Sequence, residues 1–221
     1  MQTYRPRVLD ATKILTRREL AAVLNDLKRK APRSKNTRLN LALFRLARCC
    51  GLRASEIAQL QVGDVRTELS HPHIRIRNGA AKGGRSRVVA LWWDAGTLED
   101  LAAWKADRLR AGAKADEPFL ASLIPRRVVK TFSRHTLRKR FRTACKFLGS
   151  ARLETLTIHH GRHTFISHAL AGGRSLAEVR DAAGHCNVSI TSGYLHVAVD
   201  DEARVGELFR FCLIGGVEPA Q

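Results

Sequence analysis

A chain of 221 residues fits one domain or two small ones, and its 44% hydrophobic content is enough to build a core. The charge is lopsided, with 39 Lys and Arg against 20 Asp and Glu, a net of +19. On a moderately apolar globular chain this points to a polyanionic partner, nucleic acid first. No opening apolar run resembles a signal peptide, and no stretch approaches the roughly 18–20 apolar residues that a membrane span needs. Five cysteines, two of them adjacent at Cys49 and Cys50, suit buried small residues better than a disulfide framework. A cytoplasmic protein with no membrane partner is expected.

Residues 1–14 read as an N-terminal arm, and 15–221 as one domain. In "LTRRELAAVLNDLKRK", Thr16 and Glu19 have capping-box spacing, and Leu20, Val23, Leu24 and Leu27 form an apolar stripe. "KAPRSKNTR" (30–38) is read as a polar connector. "LNLALFRLARCCG" follows as a second helix stopped at Gly51, and "ASEIAQLQ" as a short third. The period then changes. Ile74 and Ile76 alternate with Arg75 and Arg77, and Val88, Val89 and Leu91 suggest a second strand. Asn78-Gly79 and Gly83-Gly84 lie between them, so a β-hairpin is expected. Residues 94–111 are helical.

The stretch 132–149 is the clearest amphipathic helix, with Leu137, Phe141, Ala144, Cys145 and Leu148 on one side. Eight Lys and Arg and no acid lie between Arg126 and Arg142. Arg134, Arg138, Lys139 and Arg142 are therefore candidate DNA-backbone contacts, although a charge run is by default a solvated face. A helix from about His160 to Ala171 follows, then one capped by Ser175 and stopped by Gly184. "HCNVSITSGYLH" reads as an irregular connector, and "EARVGELFRFCLIGG" as an apolar C-terminal helix. The fold class is mainly α with a small antiparallel β-sheet.

"IHHGRHTFISHAL" (158–170) places four histidines and an arginine in thirteen residues. A metal site, a phosphate site and ordinary packing compete as explanations. His159 and His163 are four apart, as in zinc proteases, but that motif needs Glu directly after the first His, and His160 stands there. No acid occurs between Leu156 and Glu178 to act as general base. No metal and no other cofactor is expected. The phosphate reading gains from Arg53 after the Gly51 helix stop, Lys82 in the hairpin turn, and Tyr194 in a Gly-flanked loop. Two guanidiniums, a lysine, imidazoles and a phenol are the groups needed to break a phosphodiester without metal.

"GLRASEI", "KGGRSRVVAL", "HHGRH" and "AGHCNVSITSGYLH", in this order and at these separations, resemble the catalytic domain of the tyrosine recombinase (phage integrase) family. The resemblance covers roughly residues 15–210 and is closest to minimal members that lack the N-terminal core-binding domain. It implies a site-specific recombinase that cuts and rejoins double-stranded DNA through a 3′-phosphotyrosyl bond. The alternatives weighed beside it are relaxation of DNA in the manner of a type IB topoisomerase, and a non-catalytic DNA-binding accessory protein. The resemblance assigns catalysis to Arg53, Lys82, His159, Arg162, His185 and Tyr194. Tyr194 attacks the phosphate, Arg53 and Arg162 clamp its oxygens, and His185 donates to it. His159 assists proton transfer at Tyr194, and Lys82 protonates the leaving 5′-oxygen. Glu56 is assigned to orient Arg53 and His159, and His163 to a supporting structural role. The implied partners are DNA, further copies of the chain (a tetramer on paired sites), and accessory directionality proteins. One departure stands out: the family usually has Leu before the second arginine, where this chain has Gly161. Glycine costs about 1 kcal/mol in a helix interior, which predicts a loosely held Arg162.

Overall fold

The computed structural model describes residues 11–77, 86–122 and 131–195, the side chain of Ala11 excepted. Lys82, the hairpin turn, the first residues of the basic run and the expected C-terminal helix lie outside the described residues. So does most of the N-terminal arm.

Helix α1 (Arg17–Lys30) begins where the sequence places it. The Thr16 hydroxyl accepts from the Glu19 N–H, and the Glu19 carboxylate accepts from the Thr16 N–H. Helix α2 (Lys35–Phe44) starts inside the segment read as a connector, because the Ser34 hydroxyl caps it by accepting from the Thr37 N–H. It runs into a π-helical turn, Arg45–Cys49, closed by the Cys50 N–H on the Arg45 carbonyl at 2.9 Å. Helix α3 spans Ala54–Gln59.

The sheet is antiparallel in the order β1 (Val65–Arg66), β2 (His73–Ile76), β3 (Arg87–Ala90), with Val65 opposite Ile74 and Ile76 opposite Arg87. The two-residue β1 is too short to leave a period in the sequence. Then come α4 (Ala95–Arg110), α5 (Arg134–Ala144), α6 (Ser150–Thr155), α7 (Gly161–Ala171), α8 (Leu176–Ala183) and α9 (Val188–Ser192). α6 and α9 form in segments without helical periodicity. α9 replaces part of the expected connector because the Asn187 side chain accepts from the Ser189 N–H and starts a turn.

The main core joins the inner faces of α1–α5 and the sheet, with Phe44, Leu46, Ile57, Ile74, Val89, Trp104 and Phe141 buried. A smaller cluster gathers Phe165, Ile166, Val179, Ala182, Ala183 and Tyr194. The junction between the clusters is where α7 starts. Arg48, 1% exposed on the π-helical turn, donates to the Thr164 hydroxyl at 3.0 Å and the Thr157 carbonyl at 3.1 Å, and its guanidinium lies 4.7 Å from the Phe141 ring centre. The Thr164 hydroxyl also accepts from the Leu15 N–H, and His168 contacts the Leu15 carbonyl. His168 is thus a structural strut between α7 and the start of the fold.

Gly161 explains the departure from the family pattern. A Cβ there would sit 2.1 Å from the Ala47 carbonyl oxygen, so the backbones meet at this point and no side chain fits. The glycine lets α7 seat on the π-helical turn rather than loosening it. Gly161→Ala is therefore expected to destabilise the protein by roughly 1–3 kcal/mol, the usual cost of overpacking. Urea unfolding checks this, and an unchanged midpoint would contradict the close approach.

Candidate active site

The site is built where α3, β3, the start of α7, the end of α8 and the residues after α9 converge. Arg53 is the N-cap residue of α3, and its backbone N–H is held by the Glu56 carboxylate at 2.8 Å. Glu56 is 1% exposed and also accepts from the Arg53 guanidinium at 2.9 Å. Arg87 grips the same carboxylate with two nitrogens at 2.7 and 2.8 Å. Burial pushes the Glu56 carboxyl up, but the Arg87 hydrogen bonds and charge, joined by Arg53, hold it below its ordinary value. No hydrogen bond links Glu56 to His159 among those of the described residues; its carboxylate contacts Arg53 and Arg87.

Arg162 reaches across to α8. Its Nε donates to His185 Nε2 at 3.3 Å and its Nη2 donates to the Ala183 carbonyl, so the guanidinium is fixed rather than loose. Its Nη1 is buried and has no hydrogen-bond partner. A buried donor without an acceptor costs about 1–3 kcal/mol, which marks it as a place where an acceptor is missing. Burial, followed by the nearby Arg53 and Arg87 charges, lowers the Arg162 pKa to about 9. His185 is held from its other side, Nδ1 lying 2.8 Å from the Thr191 hydroxyl.

Tyr194 is 7% exposed, and its hydroxyl lies 2.6 Å from His163 Nδ1. The rings stack at 5.7 Å, with His185 at 6.5 Å on Tyr194. Burial raises the phenol pKa, opposed by the Arg162 charge. His163 is lowered to about 4 by burial and then by His160 and Arg48; His185 is lowered to about 4 by burial and then by Arg162 and Arg53. Both imidazoles are neutral at pH 7.

His159, expected to assist proton transfer at Tyr194, makes no hydrogen bond to the phenol among those of the described residues. Its Nε2 accepts from Arg138 Nη2 at 2.9 Å on the solvent side of α5, and the histidine facing the phenol is His163. The reason is helical phase. The 3₁₀ turn at Ile158–His160 precedes α7, so a spacing of four residues does not put both rings on one face. His160 packs 5.8 Å from the His163 ring, with its Nδ1 buried and unpartnered. Among the described residues no three His, Cys, Asp or Glu side chains gather in a group that could hold a metal. Arg134, Arg138, Lys139 and Arg142 are exposed on α5 and make no salt bridge to an acid among the described residues. Arg142 donates to the Leu153 carbonyl at 3.2 Å.

Arg87 is the residue the motif reading missed. The signal was present, because Arg87 is in phase with Val89, the inward-facing residue of β3, so a charge is directed into the core and requires a partner there.

Residues 13–200 match the phage integrase family, and the chain belongs to it. A tyrosine recombinase of Pseudothermotoga lettingae is 33% identical over 157 residues, covering 69% of this chain and 47% of that protein. Tyrosine recombinase XerC of Chromobacterium violaceum is 32% identical over 164 residues, covering 74% and 50%. The chain spans about half the length of these curated relatives. The crystal structure of XerA recombinase superposes with a TM-score of 0.65 at 21% identity, over 92% of this chain and 64% of that one. XerH, in a post-cleavage complex with a palindromic difH substrate, gives 0.62 at 24%, over 85% and 50%. At these identities the structures establish the shared fold alone. Among the described residues no helix is long and apolar enough to cross a membrane.

The two depressed imidazoles fix a pH dependence. Unfolded histidines take up protons near pH 6.5, whereas folded His163 and His185 do so only near 4. The unfolded state therefore binds more protons between these values, and stability falls as pH drops through that window. Their contribution is fully present above about pH 6.5 and lost by about 4. Thermal melts across this range should show the decline, and a His163→Gln, His185→Gln variant should show a shallower one. Equal slopes would refute it.

Proposed function

We propose that this chain is a site-specific DNA recombinase that cuts and rejoins double-stranded DNA through Tyr194. The observation that carries the reading is the buried, partnerless Nη1 of Arg162, set in a cluster with Arg53, His185 and the Tyr194 phenol. A phosphodiester oxygen is the acceptor that suits it. A guanidinium fork binds phosphate bidentately, and net positive charge at the site favours the anion.

In the cleavage step the Tyr194 oxygen forms a bond to phosphorus, and the bond from phosphorus to the 5′-oxygen breaks. A phenol ordinarily ionises near pH 10, and this one is raised further, so its proton must be removed as the bond forms. His163 Nδ1 is placed to take it. With a pKa of about 4 this imidazole is a weak base in the free protein. A bound phosphate offsets the arginine charge that adds to burial in depressing both imidazoles, and so shifts them upward. The same rise lets His185 carry the proton it needs to donate to a phosphate oxygen, since its Nε2 otherwise accepts from Arg162. Arg53 and Arg162 stabilise the charge growing on the non-bridging oxygens. Lys82 is assigned the protonation of the leaving 5′-oxygen, by resemblance. Attack by the 5′-hydroxyl of a partner strand reverses the step and conserves the bond energy, so no nucleotide cofactor is required. Exchange between two duplexes needs several active sites, so the working form is a homo-oligomer on paired sites. The exposed arginines and lysine of α5 supply backbone contacts beside it.

Covalent complexes trapped on genomic DNA of the source organism and sequenced would give the target site, from which a nicked suicide duplex is made. Wild type should form an adduct that survives denaturing gels, at undiminished rate in excess EDTA, because the two guanidiniums supply the charge that a metal would. Tyr194→Phe should form none while binding DNA within about twofold of wild type, since only the nucleophile is removed. An adduct from Tyr194→Phe, or its loss in EDTA with recovery on adding Mg²⁺, would overturn the assignment.

A further inference from the structure

We propose that Arg87 is a positioning residue for the cleavage reaction, acting through Glu56 to leave the charge of Arg53 available to the scissile phosphate. The inference rests on the recombinase reading above and extends it to a residue of the "KGGRSRVVAL" stretch to which the resemblance assigned no role.

The carboxylate of Glu56 has about four acceptor positions, and four are used. Oε1 accepts from Arg53 Nη1 at 2.9 Å and Arg87 Nη1 at 2.7 Å. Oε2 accepts from the Arg53 backbone N–H at 2.8 Å and Arg87 Nη2 at 2.8 Å. The Arg87 contact is a bidentate fork from a side chain 8% exposed, while the Arg53 guanidinium is 29% exposed and donates through a single nitrogen. The strong buried pair is therefore Glu56 with Arg87. If Glu56 had Arg53 alone, the two would form a neutral pair with little residual attraction for an anion. Arg87 neutralises the carboxylate, so the carboxylate orients Arg53 without cancelling it.

Arg87 also ties the two halves of the site together. Its Nε donates to the Ala182 carbonyl at 2.8 Å, and Arg162 donates to the next carbonyl, Ala183. These are end-of-helix carbonyls of α8, which have no intrahelical partner and carry the negative end of its dipole. Gly184 follows with φ +63, and a Cβ there would lie 2.8 Å from Arg87 Cδ. The left-handed turn that presents His185 is thus moulded on the Arg87 side chain. One guanidinium sets Arg53 through Glu56 and His185 through the end of α8, which fixes the spacing between the groups that would surround the phosphate.

The test compares wild type with Arg87→Lys and Arg87→Met in the full chain. Single-turnover adduct formation is measured on a nicked suicide duplex with a normal scissile phosphate and on one with a neutral methylphosphonate there. Arg87→Met should slow cleavage of the normal phosphate by on the order of 10²-fold, as for loss of one preorganised donor at a developing oxyanion. On the methylphosphonate, which carries one less negative charge, the loss should be about tenfold or less. Arg87→Lys keeps the charge and loses the fork, so it should fall between them. It also keeps the question decidable if Arg87→Met does not fold, which circular dichroism and melting would reveal. Duplex binding should stay within about twofold. A folded Arg87→Lys that cleaves the normal phosphate at the wild-type rate would overturn the inference, as would equal losses on both substrates, which would indicate general disorder. A wild type that forms no adduct would instead bring down the recombinase reading, and this inference with it.

Discussion

A carboxylate with almost no access to water sets the terms for the rest of the site. Glu56 is buried with no lone pair to spare, and an ionised carboxylate in such a place is tolerated only when it is paired and hydrogen-bonded. The two arginines that satisfy it come from different directions, Arg53 from the start of α3 and Arg87 from β3. The strand, the helix and, through Ala182, the end of α8 are thereby held to one point. A buried ion pair contributes little net stability, but losing one partner leaves an uncompensated charge and costs about 3–5 kcal/mol. Its value here is geometric, because it fixes the separation of cations that would otherwise repel.

That repulsion runs through the other half of the site. Arg162 is half-buried near Arg53 and Arg87, and its charge helps keep His185 neutral. The arrangement is strained electrostatically in a way that an anion relieves. The Nη1 of Arg162 lacks an acceptor, and burial, joined by the neighbouring positive charges, depresses the imidazoles. In the proposed reaction, phosphate binding, phenol activation and imidazole protonation would be coupled through these charges.

Seating of the histidine-rich segment depends on backbone contact rather than side-chain fit. The Ala47 carbonyl meets Gly161, and Arg48 holds Thr157 and Thr164 on either side of it. The four histidines then separate into different jobs. His163 faces the phenol, His159 faces the basic helix, His168 braces the start of the fold, and His160 packs against His163 with one nitrogen unpartnered. A cluster in sequence is not a cluster in space once a 3₁₀ turn leads into the helix.

The starts of α1 and α8 were legible in the sequence because a cap is a contact over three residues, whereas the Ser34 cap of α2 lay inside a polar stretch read as a connector. Thr16 with Glu19 and Ser175 with Glu178 form in the fold as their spacing dictates. The strands of the hairpin and the family motifs were legible too, since alternation and short motifs are local patterns. The sheet's first strand, α6 and α9 were not, being too short to show a period. Two features were decided only by the tertiary structure: the Arg87 grip on Glu56 and the His163 contact with Tyr194, each joining residues 31 positions apart. Local hydrogen bonds are set by neighbouring residue types. Which buried charge meets which carboxylate, and which imidazole meets the phenol, is set by how the chain closes on itself and by the burial that makes an unpaired group costly.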